Sequence, residues 1–163
     1  MRQLTGEPTS QPCIRPFDHH DLSTVRAMFD RVSDETVYRR FFTSGPSGPR
    51  SELDYLAAVD GHDRLALVAV TGGRTVGLAR YHRTGGGHAD VAVIVEDAWQ
   101  RHGVGRRLLA ELVRAARDEG VVSLDMTILG ENVPALRLLR GLAPWRQLQL
   151  DHGVFEASVG IAG

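Results

Sequence analysis

Residues 89–120, ADVAVIVEDAWQRHGVGRRLLAELVRAARDEG, constrain the fold more than any other stretch of the chain. Val91, Val93, Ile94 and Val95 form a β-branched run that suits a buried strand. Val104, Leu108, Leu112 and Ala115/Ala116 recur at three- and four-residue spacing, so they share one face of a long helix. Between strand and helix stand Gln100, Arg101, His102, Gly103, Val104, Gly105 and Arg106. Two glycines at a helix start let successive backbone N–H groups converge on one point, where the helix dipole adds positive potential. The spacing therefore predicts an anion cradle, in which a Cβ would hold phosphate oxygens off the backbone. Gly103-x-Gly105-x-x-Leu108 also resembles a dinucleotide fingerprint, with Asp125 about twenty residues on. Glu96 to His102 intervene between strand and first glycine, however, and the third glycine is missing. A helix start with no ligand is the plain alternative.

The 163 residues suit one domain, expected over 13–163 behind a flexible polar segment at 1–12. A formal net charge of −1 offers no basic excess for nucleic acid. No apolar run approaches the ~18 residues that a membrane span requires, and the opening MRQLTGEPTSQPC lacks the apolar core of a secretion signal. One cysteine, Cys13, excludes an internal disulfide and agrees with a cytoplasmic location; a packing role is expected for it. The histidines at 19, 20, 62, 82 and 152 are scattered without metal-ligand spacing, so no metal is expected. All nineteen basic residues are arginine.

In order, Cys13–Pro16 reads as a short strand. Asp18 can cap a helix carrying Leu22, Val25, Met28, Phe29 and Val32, and Ser33 opens a second helical piece, ETVYRRFF. A loop, TSGPSGPRS, is expected before a helical pattern from Glu52 to Val59. Residues 64–70 and 75–83 read as a hairpin about Gly72-Gly73, and Gly85-Gly86-Gly87 turns into the central strand. After the long helix come a strand at 121–128, a helix at 132–142 with Pro134 in its first turn, and a hairpin about Asp151-His152-Gly153. The order predicts a mixed α/β domain: a mostly antiparallel, twisted sheet of about seven strands with helices on both faces.

Gln100-x-x-Gly103-x-Gly105, set between that strand and that helix, resembles the pyrophosphate-binding signature of the GNAT superfamily of acyl-CoA-dependent N-acyltransferases. The segments 33–42 and 59–69, with Gly77 to Tyr81 and Ala89 to Val93, resemble the acetyltransferase domain of bacterial protein lysine acetyltransferases, which act on acyl-CoA synthetases. The likeness covers residues 13–158. It implies an acetyl-CoA or other short acyl-CoA co-substrate, with the pyrophosphate on residues 100–106. It further implies that backbone groups at Val93 and Val95 pair with the pantetheine arm, and that an N–H near Ile94 polarises the thioester carbonyl. Asn132 matches a residue near the cofactor, and is equally suited to cap a helix.

A lysine-type amine, with a pKa of about 10.4, must lose a proton before it attacks a thioester, whereas a thiol of pKa about 8.5 leaves readily. A base is thus required more than an acid. The resemblance places a glutamate at the head of the central strand in this role, and the matching residue here is Asp90, shorter by one C–C bond of about 1.5 Å. Glu96, past the other end of the strand, is a second candidate. His88 is a third, although three preceding glycines make a loose mount for a base. Leu139 occupies the position of the tyrosine that protonates the thiolate in many such enzymes. Three functions compete: transfer to a protein lysine, transfer to a small amine, and an acyl-CoA sensor that has lost efficient chemistry. A monomer or homodimer is expected.

Overall fold

The structure, a computed structural model, describes residues 11–141 and 145–162, and of 145–148 the backbone alone. The flexible segment expected at 1–12 falls, up to residue 10, outside these, as does the expected helix end at Leu142. The seven strands are β1 (Cys13–Pro16), β2 (Arg64–Thr71), β3 (Arg74–Gly85), β4 (His88–Val95), β5 (Ser123–Leu129), β6 (Trp145–Asp151) and β7 (Val154–Gly160). They form one sheet in the order β1-β2-β3-β4-β5-β7-β6. Every neighbouring pair is antiparallel except β4 with β5. That exception follows from the long helix α4 (Val104–Asp118), because a chain returning through a crossover helix must run parallel.

Period-two alternation sorts the side chains onto two faces. On one, Leu67, Ala79, Tyr81 and Leu124 pack against Val104, Leu108, Leu112 and Ala116 of α4. On the other, Val68, Leu78 and Ile94 pack against Val25, Met28 and Phe29 of α1 (Leu22–Arg31) and Leu56 of α3 (Ser47–Ala57). Between these helices lies α2 (Asp34–Phe41), and after β5 comes α5 (Val133–Arg140). No helix among the described residues is long and apolar enough to cross a membrane.

Two local expectations are corrected. The loop expected at 43–51 is shorter, because α3 begins at Ser47. Pro49 falls within the first turn, where its missing N–H costs no helical bond. Gly48 lies so close to Phe41 that an added Cβ would come within 2.4 Å of its ring, so glycine there serves close packing between α2 and α3. Cys13 is exposed rather than packed.

A buried three-residue charge group pins α2 and α3 to the sheet. Glu52 of α3, 3% exposed, accepts from Arg40 Nη2 at 2.9 Å and from Arg80 Nε at 2.5 Å and Nη2 at 3.0 Å. The Arg80 guanidinium also lies 3.9 Å from the centre of the Tyr55 ring, whose hydroxyl donates to the Tyr81 carbonyl at 2.6 Å. Removing one partner of such a group leaves buried charge uncompensated, which costs about 3–5 kcal/mol. Glu52→Ala should therefore lower the unfolding free energy by about that amount in urea titration, against less than about 1 kcal/mol for Glu111→Ala at the exposed Arg114 pair.

Candidate active site

Strands β4 and β5 are paired for only three positions, His88↔Ser123, Ala89↔Leu124 and Asp90↔Asp125. Beyond Asp90 they part. β4 stays paired to β3 as far as Val95, and β5 to β7 as far as Leu129. A cleft of about 730 Å³ opens between them, with Val91 and Val93 on one wall and Met126 and Ile128 on the other. The edge of β4 that faces this cleft, Val91 to Val95, has no β5 partner among the described residues. A strand edge of this kind offers backbone donors and acceptors to an extended ligand.

The cradle lies at the wide end. After a single 3-10 turn at Asp97–Trp99, Arg101 takes a left-handed conformation (φ 65°), and so does Gly103 (φ 79°), the N-cap of α4. Gly103 supplies no capping side chain, so the N–H groups of Val104, Gly105 and Arg106 are left to a ligand or solvent. Gly105 needs its missing Cβ for a second reason: that atom would lie 3.2 Å from Leu138 Cδ1 of α5 and 3.6 Å from Val95 Cγ2. The close approach of α5 thus joins the ligand's approach as a demand for glycine.

Of the residues expected to hold the cofactor, Val93, Ile94, Val95, Gln100 and Arg101 line the cleft, as do Gly103, Val104, Gly105, Arg106 and Asn132. Gln100 acts as a brace, its Nε2 donating to the Val95 carbonyl at 3.0 Å and to Thr36 Oγ1 at 3.1 Å. Asn132 caps α5, its Oδ1 accepting from the Ala135 N–H at 3.3 Å. His102 is the exception: it packs edge-on to Trp99, with centroids 6.1 Å apart, and is not part of the lining. Arg39, Arg40 and Arg137 join Arg101 and Arg106 around the cleft against the carboxylate of Glu131. Arg39 and Arg40 are paired with Glu35 and Glu52, so the positive potential of the site comes chiefly from Arg101, Arg106 and Arg137, in a protein of near-zero net charge.

The two candidate carboxylates have different settings. Asp90 stands exposed where the central strands part, next to Val91 but itself not part of the cleft lining, with His82 Nε2 of β3 3.6 Å from its Oδ2. Glu96 is 9% exposed, receives Arg31 Nε at 2.9 Å and Nη2 at 3.2 Å, and lies outside the cleft lining. Its carboxylate fastens the end of α1 to the sheet, since Arg31 also donates to the Thr75 carbonyl at 2.9 Å. His88 is better mounted than its glycines imply, with its Nδ1 3.1 Å from Asp125 Oδ2. Leu139 is buried and also borders the cleft, so its position offers no acid. Among the described residues no group of three or more His, Cys, Asp or Glu is placed to hold a metal ion.

Sequence reasoning missed Asp97, which ties the cleft's α2 wall to the cradle loop. Its carboxylate accepts from the Ser33 N–H at 2.9 Å, Ser33 Oγ at 2.7 Å and Thr36 Oγ1 at 3.1 Å. Ser33 and Thr36 are legible as a helix cap, but their partner is more than sixty residues away and carries no local signal. Burial pushes the Asp97 carboxyl up, yet the Ser33 and Thr36 donors outweigh it and hold the group below the usual carboxylate range. A depressed carboxyl contributes stability that is fully present above its unfolded pKa of about 3.9 and is lost as pH falls through the lower folded value. Thermal melts of Asp97→Asn should show a lower Tm than wild type at pH 7 and a gap that closes below about pH 4.

Residues 30–143 match the family described as Acetyltransferase (GNAT). The chain is 33% identical over 153 residues to the acetyltransferase Pat of Mycolicibacterium smegmatis, covering 91% of this chain and 45% of that relative. It therefore spans under half of that protein's length. Among solved structures it is similar to the GNAT domain of S. lividans PAT, with 27% identity and a TM-score of 0.81 over 90% of this chain and 89% of that one. A phosphinothricin acetyltransferase from Sinorhizobium meliloti, solved in complex with acetyl-CoA, shares the fold at 18% identity and a TM-score of 0.72, over 94% and 90% of the two chains. With its parted central strands, its glycine cradle and the family match over 30–143, the chain belongs to the GNAT family of acetyltransferases.

Proposed function

We propose that this acetyltransferase moves an acetyl group from acetyl-CoA to the ε-amine of a lysine on another protein, with an acyl-CoA synthetase as the first acceptor to test. The observation that supports the reading is the 33% identity to Pat over 153 residues, together with the TM-score of 0.81 to the S. lividans PAT domain; a putative phosphinothricin acetyltransferase of Bacillus subtilis, 27% identical over 145 residues, keeps a small amine as the second reading.

In this reading the pyrophosphate rests on the N–H groups of Val104, Gly105 and Arg106, with Arg101 and Arg106 adding charge. The pantetheine arm lies along the unpaired edge of β4 at Val93 and Val95. The N–H near Ile94 polarises the thioester carbonyl, a preorganised donor of the kind that contributes a few kcal/mol. Asn132 stands beside the bound cofactor while capping α5. Asp90 takes the proton from the acceptor amine, which then attacks the carbonyl carbon. The C–S bond breaks, and the thiolate departs without a dedicated acid, in keeping with Leu139 where a tyrosine would stand.

The chain has no lysine, so any lysine labelled in a mixture lies on the partner. Incubation with labelled acetyl-CoA and an acyl-CoA synthetase, followed by mass spectrometry, should find label confined to one synthetase lysine. Asp90→Asn should reduce that label about 10²-fold at neutral pH, with little change in cofactor affinity. Equal slow labelling with and without the enzyme means spontaneous chemistry; fast turnover of small amines alone favours a small-molecule acceptor. Gly105→Glu, which sets a carboxylate among the cradle's N–H groups, should abolish acetyl-CoA binding by calorimetry, whereas Gly105→Ala, which makes the same 3.2 Å contact with Leu138 without the charge, should weaken it far less.

A further inference from the structure

The face of the sheet opposite α4 carries a second group of polar side chains at the closed end of the cleft. His88, Asp90 and, across the parallel pairing, Asp125 all stand on it, since residues in register on neighbouring strands share a face. His88 Nδ1 lies 3.1 Å from Asp125 Oδ2, and Asp125 Oδ1 accepts from Ser158 Oγ of β7 at 2.5 Å. The carboxylate is thus held from the far side and orients the imidazole. A neutral ring so held carries its proton on Nδ1, which leaves the Nε2 lone pair free. The side chain of His88 is 47% exposed, open to exchange with water.

A second observation falls in the same place. Two buried side-chain polar atoms among the described residues lack a hydrogen-bond partner, and they are His82 Nδ1 and Ser123 Oγ. His82 is paired across the ladder with Asp90, and Ser123 with His88. Unsatisfied buried groups are uncommon in folded proteins, and each calls for a partner such as a water or a ligand. Both flank the line from Asp90 to His88.

We propose that His88, oriented by Asp125, receives the proton that Asp90 removes from the acceptor amine and passes it to solvent. The proposal rests on the transferase reading given above. A carboxyl ordinarily titrates near ~3.9 and an imidazole near ~6.5, so the imidazole retains a proton about 400-fold better. Asp90 alone is a poor resting place for a proton taken from an ammonium. His88 stands two residues back on the same face, about 6.6 Å away along the strand, and both side chains are open to the water that would carry the proton between them. The acceptor arrives as R–NH3⁺. One proton passes through Asp90 to His88 Nε2, and the imidazolium faces the Asp125 carboxylate. The neutral amine forms the C–N bond and the C–S bond breaks. The thiolate takes the second proton shed by the amide nitrogen, and His88 gives the first to bulk water. The balance is R–NH3⁺ plus acetyl-CoA to the N-acetyl amide, CoA–SH and H⁺. The titratable groups nearest His88 on this face are Asp90 on its own strand, His82 on β3 and Asp125 on β5, while β7 places the uncharged Ser158 against Asp125; Arg83, on the other face, is engaged by Asp63 and the Glu119 carbonyl.

The test combines pH profiles with a readout that needs no acceptor. With whichever amine wild type acetylates, kcat/KM should fall on the acid side with an apparent pKa in the imidazole range. His88→Gln should lower kcat by about 10-fold or more at pH 7, leave the KM for acetyl-CoA within about twofold, and move the acid limb into the carboxylate range. Added imidazole should restore His88→Gly in proportion to its concentration. Separately, ¹⁵N NMR of the free protein at pH 8 should show His88 as the Nδ1–H tautomer, and Asp125→Asn should abolish that preference. An unchanged acid limb in His88→Gln, no rescue by imidazole, or an Nε2–H tautomer in wild type would overturn the relay while leaving the transferase reading in place. Absence of turnover on every amine and protein tried would remove that reading, and the relay with it.

Discussion

Everything the molecule does with a ligand depends on β4 and β5 pairing for three positions and then separating. A continuous parallel pair would satisfy the backbone of Val91 to Val95 internally and leave no opening. Parting exposes that edge and creates a cleft whose walls are apolar side chains and whose wide end meets the first turn of α4. The separation is stabilised from outside, because β4 keeps its full ladder with β3 and β5 keeps its own with β7. Each strand therefore remains half-paired, and neither needs the other beyond Asp90.

The parted strands stay in position through three buried or half-buried charged contacts with the helical layer. Glu96 with Arg31 fixes the end of α1, Glu52 with Arg40 and Arg80 fixes α2 and α3 to β3, and Asp97 joins the start of α2 to the cradle loop. Such contacts are expensive to break because the partner left behind is desolvated. They also place cations where a phosphate ligand can use them, as with Arg40, which serves Glu52 and borders the cleft. A chain whose basic residues are all arginine suits this double use, since the planar guanidinium can satisfy a carboxylate and still present donors elsewhere.

Local information in the chain was enough for the strand–cradle–helix unit. The β-branched run from Val91 to Val95, the two glycines, and the apolar stripe from Val104 to Ala116 are all short-range patterns, and the strand, the turn and the helix form where they predict. The same holds for the terminal hairpin, whose two-residue turn needs left-handed backbone at His152 and Gly153 (φ 50° and 79°) and contains the glycine that permits it. The start of α3 is hidden in the sequence because Gly and Pro in TSGPSGPRS have loop chemistry, whereas here Gly48 packs against Phe41 and Pro49 occupies a first turn.

Which acidic and basic side chains meet was decided by tertiary structure alone. By residue type and spacing alone Asp90 and Glu96 are alike, each a carboxylate near one end of the same strand, and only the family resemblance ranks Asp90 first. Only the fold gives Glu96 to an arginine sixty-five residues away and leaves Asp90 open where the strands part. The three glycines before His88 suggest a loose mount, and the residue that holds it, Asp125, arrives only through the β4–β5 register. Hydrophobic period and turn chemistry are written over a few neighbouring residues, so sequence reports them. Charge pairing across the sheet depends on register and on where strands separate, and those are properties of the folded chain.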